Sequence, residues 1–252
     1  MALSIEAKRA AFRALHQQGH FVLPNPWDLG GLRRLEKLGA KAVATTSAGF
    51  AHSLGREDFQ LTLSEVLAHI AYLGNATDLP LNVDFEAGFA DAPDHVAANV
   101  KLAVAAGAAG LSIEDRSGKE LYPLSLCLER LQAAREAIAD TGQDVVLVGR
   151  CEGLLTKTLS LDETIVRMAA YAKAGADVLY APAIKEAADI KTLIQAVSPK
   201  AVNVLLLPGM RVDELAALGV RRMSTGSGLA RAAWAGFDAA AASVMDGGSL
   251  SV

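Results

Sequence analysis

The sequence predicts a single-domain (β/α)8 barrel, and three observations carry that prediction. Eight apolar segments of strand length alternate with segments of helical periodicity along the whole chain. Alternation of that kind builds a parallel sheet, and eight repeats favour its closure. The same joint recurs at Leu38-Gly39-Ala40, Ala106-Gly107-Ala108, Ala174-Gly175-Ala176 and Leu218-Gly219-Val220. There a glycine in the left-handed region stops a helix and a buried strand begins at once. The length of 252 residues suits such a barrel, and no Gly-x-Gly-x-x-Gly follows the first strand to favour an open dinucleotide-binding sheet.

In chain order, residues 4–18 form an amphipathic helix with Ile5, Ala10, Phe12 and Leu15 facing inward. A strand at 21–25 ends at Pro24 and Pro26, and Trp27, Leu29, Leu32 and Leu35 mark the next helix, 28–38. Strands follow at 42–47, 81–86, 110–115, 145–150, 178–183, 201–207 and 221–226. The helices between and after them lie at 62–75, 94–106, 124–139, 161–174, 186–197, 211–217 and 228–245. The short Gly247–Val252 tail is expected to fray.

Hydrophobic residues make up 52% of the chain and charged ones 21%, ample for a large core. The net charge of −4 comes without a basic stripe, which argues against nucleic acid as a partner. Residues 1–19 lack the apolar core of a signal peptide, and no segment has the length of a membrane span. Two cysteines, Cys127 and Cys151, are too few for a disulfide framework, so a reducing, cytoplasmic location is expected.

The chemistry is expected at 81–115. Asp84 and Glu86 close one strand, Glu114 and Asp115 close the next, and a helical crossover makes the two strands parallel neighbours. Acidic oxygens converging at the C-terminal edge of a parallel barrel suit a hard divalent cation. Asp91 and Asp94 read as helix caps or solvated carboxylates. Ser47, Ala48 and Gly49 form a small-residue turn able to hold a carboxylate or phosphate through backbone N–H groups. Arg150 ends its strand at a depth where a guanidinium needs a partner, so it clamps a substrate carboxylate or neutralises the acidic cluster, and Glu152 is placed to orient it. Asn25 and Asn203 lean towards structural hydrogen bonding. His20, His69 and His95 have no metal-ligand spacing, and both cysteines read as packing. Gly226-Ser227-Gly228 has the form of a phosphate-binding turn, although most such turns bind nothing.

Pro24-Asn25-Pro26-Trp27-Asp28, Ala44-Thr45-Thr46-Ser47-Ala48-Gly49, Asp84-x-Glu86-x-Gly88-Phe89, Ile113-Glu114-Asp115 and the strand ending in Arg150, in this order, resemble the isocitrate lyase/phosphoenolpyruvate mutase superfamily. The likeness covers nearly the whole chain. It implies a (β/α)8 barrel that binds Mg²⁺, or Mn²⁺ in its place, together with an α-keto acid or its enolate, and that breaks or forms a C–C or P–C bond. On this resemblance Ser47, Ala48 and Gly49 hold the substrate carboxylate and oxygen, and Asp58 approaches metal water or substrate. Asp84, Glu86 and Glu114 form the metal shell, largely through waters, and Arg150 binds substrate. Asp84 and Asn203 complete the expected substrate contacts, and Asp58, Glu114 and Arg150 the expected catalytic set. A last helix packed on or swapped with a neighbouring subunit implies a homodimer or homotetramer.

The chain departs from the family pattern after the fourth strand. C–C lyases of the family carry a Lys-Lys/Arg-Cys-Gly-His loop there, and the phosphonopyruvate branch an Asp-Lys-x-Phe-Pro-Lys-x-Asn loop. Here residues 116–123 read Arg-Ser-Gly-Lys-Glu-Leu-Tyr-Pro, with Lys119, Glu120 and Tyr122 as lid candidates. Tyr180-Ala181-Pro182-Ala183 also lacks the glutamate or histidine of those branches. The expected function is therefore a Mg²⁺-dependent lyase of a small keto or hydroxy (di)carboxylic acid, decarboxylation of an oxaloacetate-like acid being one concrete case. P–C chemistry on phosphonopyruvate and non-catalytic keto-acid binding stand as the alternatives.

Overall fold

The computed structural model describes residues 3–118 and 120–250. In chain order the elements are α1 (Ile5–Leu15), β1 (Phe21–Leu23), α2 (Leu29–Lys37), β2 (Val43–Ala44), α3 (Ser47–Ser53), α4 (Leu63–Asn75), β3 (Leu81–Asp84), α5 (Pro93–Ala105) and β4 (Gly110–Glu114). They continue with β5 (Arg116–Ser117), β6 (Glu120–Leu121), α6 (Leu124–Asp140), β7 (Val146–Arg150), α7 (Gly153–Thr156), α8 (Leu161–Lys173), β8 (Val178–Tyr180), α9 (Ala187–Val197), β9 (Ala201–Leu205), α10 (Val212–Ala217), β10 (Arg222–Ser224) and α11 (Gly228–Met245). Eight of the strands form one parallel sheet in the order β1-β10-β9-β8-β7-β4-β3-β2. Its two ends meet through the Ala44 N–H, which donates to the Pro24 carbonyl at 3.0 Å, so the ring is nearly closed, as the eight repeats predict. The helix-stopping glycines 39, 107, 175 and 219 all have left-handed φ, from +80° to +110°.

Side-chain alternation along the strands divides the apolar interior in two. Outward residues such as Val83, Leu111, Leu147, Leu179 and Val202 pack under the helices. Inward ones, including Phe21, Leu23, Val146, Val148 and Val178, fill the lower barrel. Helix α1 closes the bottom. Phe12 seats so tightly under the sheet that a Cβ on Gly110 would lie 2.6 Å from its ring and 2.7 Å from Asn82 Oδ1.

Three local readings are corrected. Ala10 is exposed, and α1 buries Lys8 and Arg9 beside Phe12 instead. Hydrophobic periodicity counts cations as outward-facing, whereas Lys8 Nζ donates to the carbonyls of Gly74 and Thr77, and Arg9 to those of Val104 and Ala108. These carbonyls end helices or follow them, where intrahelical donors run out. Residues 47–53, read as strand end and loop, form α3, because the Thr46 hydroxyl accepts from the Gly49 N–H and starts a helix there. Within the 116–123 loop, Arg116–Ser117 and Glu120–Leu121 pair as the antiparallel strands β5 and β6. Lys119 lies outside the described residues. Tyr122 is anchored: its N–H bonds Asp115, its hydroxyl Asp91, and its ring carries the Arg130 guanidinium.

Candidate active site

The site stands at the C-terminal mouth of the barrel, where strand ends give way to polar residues. Asp84 ends β3, and its N–H donates to the Thr45 hydroxyl at 2.9 Å. Its Oδ2 accepts from both the N–H and the hydroxyl of Ser47, at 3.0 and 2.9 Å, and the same hydroxyl reaches Asp58 Oδ1 at 3.2 Å. Helix α3 thus presents its first turn to the acidic cluster, with Ala48 in that turn. Gly49 is fixed by packing, since a Cβ would fall 2.6 Å from the Thr46 methyl.

Glu86 follows β3 in a left-handed conformation, φ 44°, as does Phe89, φ 56°. Such conformations are costly for ordinary residues and persist only where the surroundings enforce them. Here Arg130, fully buried on α6, donates to the carbonyls of Ala87, Ala90 and Asp91 and pins the turn from behind. Asp91, read as a helix cap or solvated carboxylate, is exposed and accepts the Tyr122 hydroxyl in this brace, and Asp94 lies exposed in the first turn of α5. Replacing Arg130 with methionine leaves those carbonyls without donors, so a loss of about 3 kcal/mol is expected in the urea unfolding free energy.

Arg150, at the end of β7, joins the acids. Nη1 lies 3.1 Å from Asp84 Oδ1 and 3.3 Å from Glu114 Oε2, and Nε donates to Glu152 Oε1 at 2.6 Å. Glu152 therefore orients Arg150, with Tyr180 beneath the guanidinium. Asp115 follows the alternation of the strand away from the mouth. It accepts from Tyr171, Arg167 and the Glu152 N–H, which makes it a tie between β4 and the outer helices. Asn203 lines the floor of the cavity with its amide engaged by Ser224 and Arg222. Asn25 bonds the N–H groups of Thr225 and Gly226, which occupies donors of the turn that resembles a phosphate site. His69 stacks on Phe50, and both cysteines are buried thiols pushed up in pKa by burial.

The cavity among Asp84, Ser112, Arg150, Tyr180, Asn203 and Arg222 is about 40 Å³, room for a water or the tip of a small acid. A larger cleft, about 570 Å³, lies under α1 at the opposite end, away from the carboxylates. At the mouth, Oε1 of both Glu86 and Glu114 is buried without a hydrogen-bond partner. Burial first, then the charges of Asp84 and Asp58, pushes the Glu86 carboxyl up to about 8. Burial likewise holds Glu114 well above its ordinary value, and raises Asp58 with help from Asp84. Orphaned acidic oxygens with raised proton affinity are what a cation would satisfy. Among the described residues, no group of three or more His, Cys, Asp or Glu side chains is drawn together closely enough to ligate an ion directly. Asp84, Glu86 and Glu114 are the residues that could hold a hard divalent cation here, through water rather than by direct ligation.

A pH dependence follows. Glu86 keeps its proton in the folded state after the unfolded chain has lost it near 4.5, so its contribution to stability is complete below that value and is lost as pH rises through about 8. Without divalent cation, the melting temperature is expected to fall between about pH 4.5 and about pH 8, and added Mg²⁺ to restore more of it at the higher pH. Differential scanning fluorimetry with and without Mg²⁺ checks this, and Glu86→Gln should flatten the profile.

The model of the phosphoenolpyruvate phosphomutase family matches residues 12–245. The chain belongs to the isocitrate lyase/phosphoenolpyruvate mutase superfamily. A crystal structure from Burkholderia cenocepacia, classed provisionally as a lyase/mutase, superposes with a TM-score of 0.94 at 44% identity, covering 98% of this chain and 90% of that one. The 2-methylisocitrate lyase of Escherichia coli is 31% identical over 229 residues, 84% of this chain and 76% of that enzyme. The oxaloacetate decarboxylase of Pseudomonas putida is 31% identical over the same number of residues, with the same coverage of 84% and 76%. Within this superfamily of lyases and mutases, the chain is an enzyme of the lyase/mutase type.

Two site features escaped the sequence reading. Arg116 lies over the Phe59 ring at 4.3 Å from the centroid, and Phe59 itself has φ 65°. Only the position of Arg116, two residues beyond Glu114, could have pointed to it. Nothing local marks Phe59 as its platform.

Proposed function

We propose that the protein is a Mg²⁺-dependent lyase acting on a small α-keto or hydroxy dicarboxylic acid, and that loss of CO₂ from an oxaloacetate-like β-keto acid is its concrete reaction. The observation that carries this reading is the pair of orphaned oxygens on Glu86 and Glu114 beside Asp84. No Cys or His lines the adjoining cavity among the described residues, and decarboxylation needs neither. The bond between C3 and the departing carboxylate breaks, its electron pair passes into the C2–C3 enolate, CO₂ leaves, and C3 takes up a proton. A bound divalent cation supplies positive charge against the developing enolate. Ser47 and Arg150 fix the two oxygens of Asp84, and Arg150 also holds Glu114. Asp58 holds its proton more tightly than an ordinary aspartate, and both of its hydrogen bonds fall on Oδ1. Its Oδ2 is thereby left to pass a proton from water towards C3.

The test is a product assay with Mg²⁺. Oxaloacetate should yield pyruvate and CO₂ in a reaction stopped by EDTA. Phosphate release from phosphonopyruvate instead would establish P–C chemistry, and oxalate binding without turnover of any acid would leave a binding protein.

We further propose a cytoplasmic homodimer or homotetramer. No helix among the described residues is long and apolar enough to cross a membrane. Helix α11 leaves Phe237 70% and Met245 85% exposed, surface that a second copy would cover. Sedimentation of the wild type against Phe237→Glu tests the assembly.

A further inference from the structure

Arg150 is already committed. Its Nη1 is shared between Asp84 and Glu114 and its Nε is given to Glu152, with the side chain largely buried. A ligand carboxylate arriving there would compete with three carboxylates for one guanidinium. Another cation must receive any second acidic group of the substrate.

Arg116 has the required properties. It opens the hairpin directly beyond Glu114 and Asp115, and among the described residues it makes no ion pair. Its Nε is buried without an acceptor. The guanidinium lies over Phe59, 4.3 Å from the ring centroid, which fixes its plane. Phe59 follows Asp58, the carboxylate that shares the Ser47 hydroxyl with Asp84, so this platform belongs to the mouth. A planar fork of this kind matches a carboxylate in bidentate fashion.

We infer that Arg116 receives the distal carboxylate of the substrate and makes the site selective for dicarboxylic over monocarboxylic acids. This rests on the proposed function, with the cation and Ser47 turn taking the proximal end of the acid and Arg116 the far end. Arg116 is thus a specificity-determining residue of this chain, on the loop where the chain departs from both family branches.

Calorimetric titration of (S)-malate and (S)-lactate in the presence of Mg²⁺ tests the assignment, because the two differ by the distal carboxylate and neither decarboxylates. The wild type should bind malate at least about tenfold more tightly than lactate. In Arg116→Gln that preference should vanish through weaker malate binding, with lactate affinity within about twofold of wild type. Arg116→Lys should recover part of it, and circular dichroism should show both variants folded. An unchanged malate preference in Arg116→Gln, equal losses for both acids, or a wild type that binds both alike overturns the assignment and leaves the proposed function standing. A wild type that binds neither acid with Mg²⁺ overturns both.

Discussion

Asp84→Ala is expected to abolish Mg²⁺-dependent binding of oxalate while leaving the barrel folded. Asp84 is the hub of the mouth, tied to Ser47 through Oδ2 and to Arg150 through Oδ1. Its loss removes a carboxylate from the proposed cation site and frees the Ser47 turn. The fall in affinity should exceed the roughly 10–100-fold that loss of a mere supporting partner costs. Stability should change little by comparison, because Arg150 keeps Glu114 and Glu152. Oxalate, which mimics a planar enolate, titrated calorimetrically with and without Mg²⁺ gives the affinity, and a thermal melt gives the fold. Oxalate binding at wild-type strength in this variant would remove Asp84 from the site.

Arg150→Met should have the largest effect on stability. It strands Glu114 and Glu152, whose side chains are only 2% and 1% exposed, without their shared counter-charge. Breaking a buried pair by deleting one partner costs about 3–5 kcal/mol. For a chain of this size that is roughly a 10 °C fall in melting temperature. The sign with pH follows from charge. The deficit should shrink as pH falls and the stranded Glu114, whose burial already raises its proton affinity, protonates, whereas loss of packing alone would not vary with pH. Melting curves across pH for wild type and Arg150→Met distinguish the two.

The alternation of strand and helix was legible because each glycine joint and each apolar run is a local signal. Strand ends were read too long at 45–47, 85–86 and 181–183, because small residues at 45–47 and 181–183 and the apolar Phe85 continue the pattern after the backbone has left the sheet for the site loops. Glu86 shows the consequence. It reads as the last residue of a strand yet occupies a left-handed turn held by Arg130, more than forty residues away. The sequence reading put Glu114 and not Asp115 in the site, and strand alternation gives the reason, sending Asp115 away from the mouth to Tyr171 and Arg167. Phe12 at the barrel floor was visible, but its neighbours Lys8 and Arg9 were not, since their carbonyl partners lie 66 or more residues away. The acidic residues of the mouth were found from strand-end position and resemblance. The saturation of Arg150 and the stacking of Arg116 needed coordinates.

The most direct measurement is a crystal of the wild type grown with Mn²⁺ and oxalate, read by anomalous scattering. One Mn²⁺ peak among the side chains of Asp84, Glu86 and Glu114, with oxalate beside it and the Ser47 turn, is the expected result. Oxalate bound with no Mn²⁺ between it and these three carboxylates, or Mn²⁺ bound only elsewhere, would contradict it.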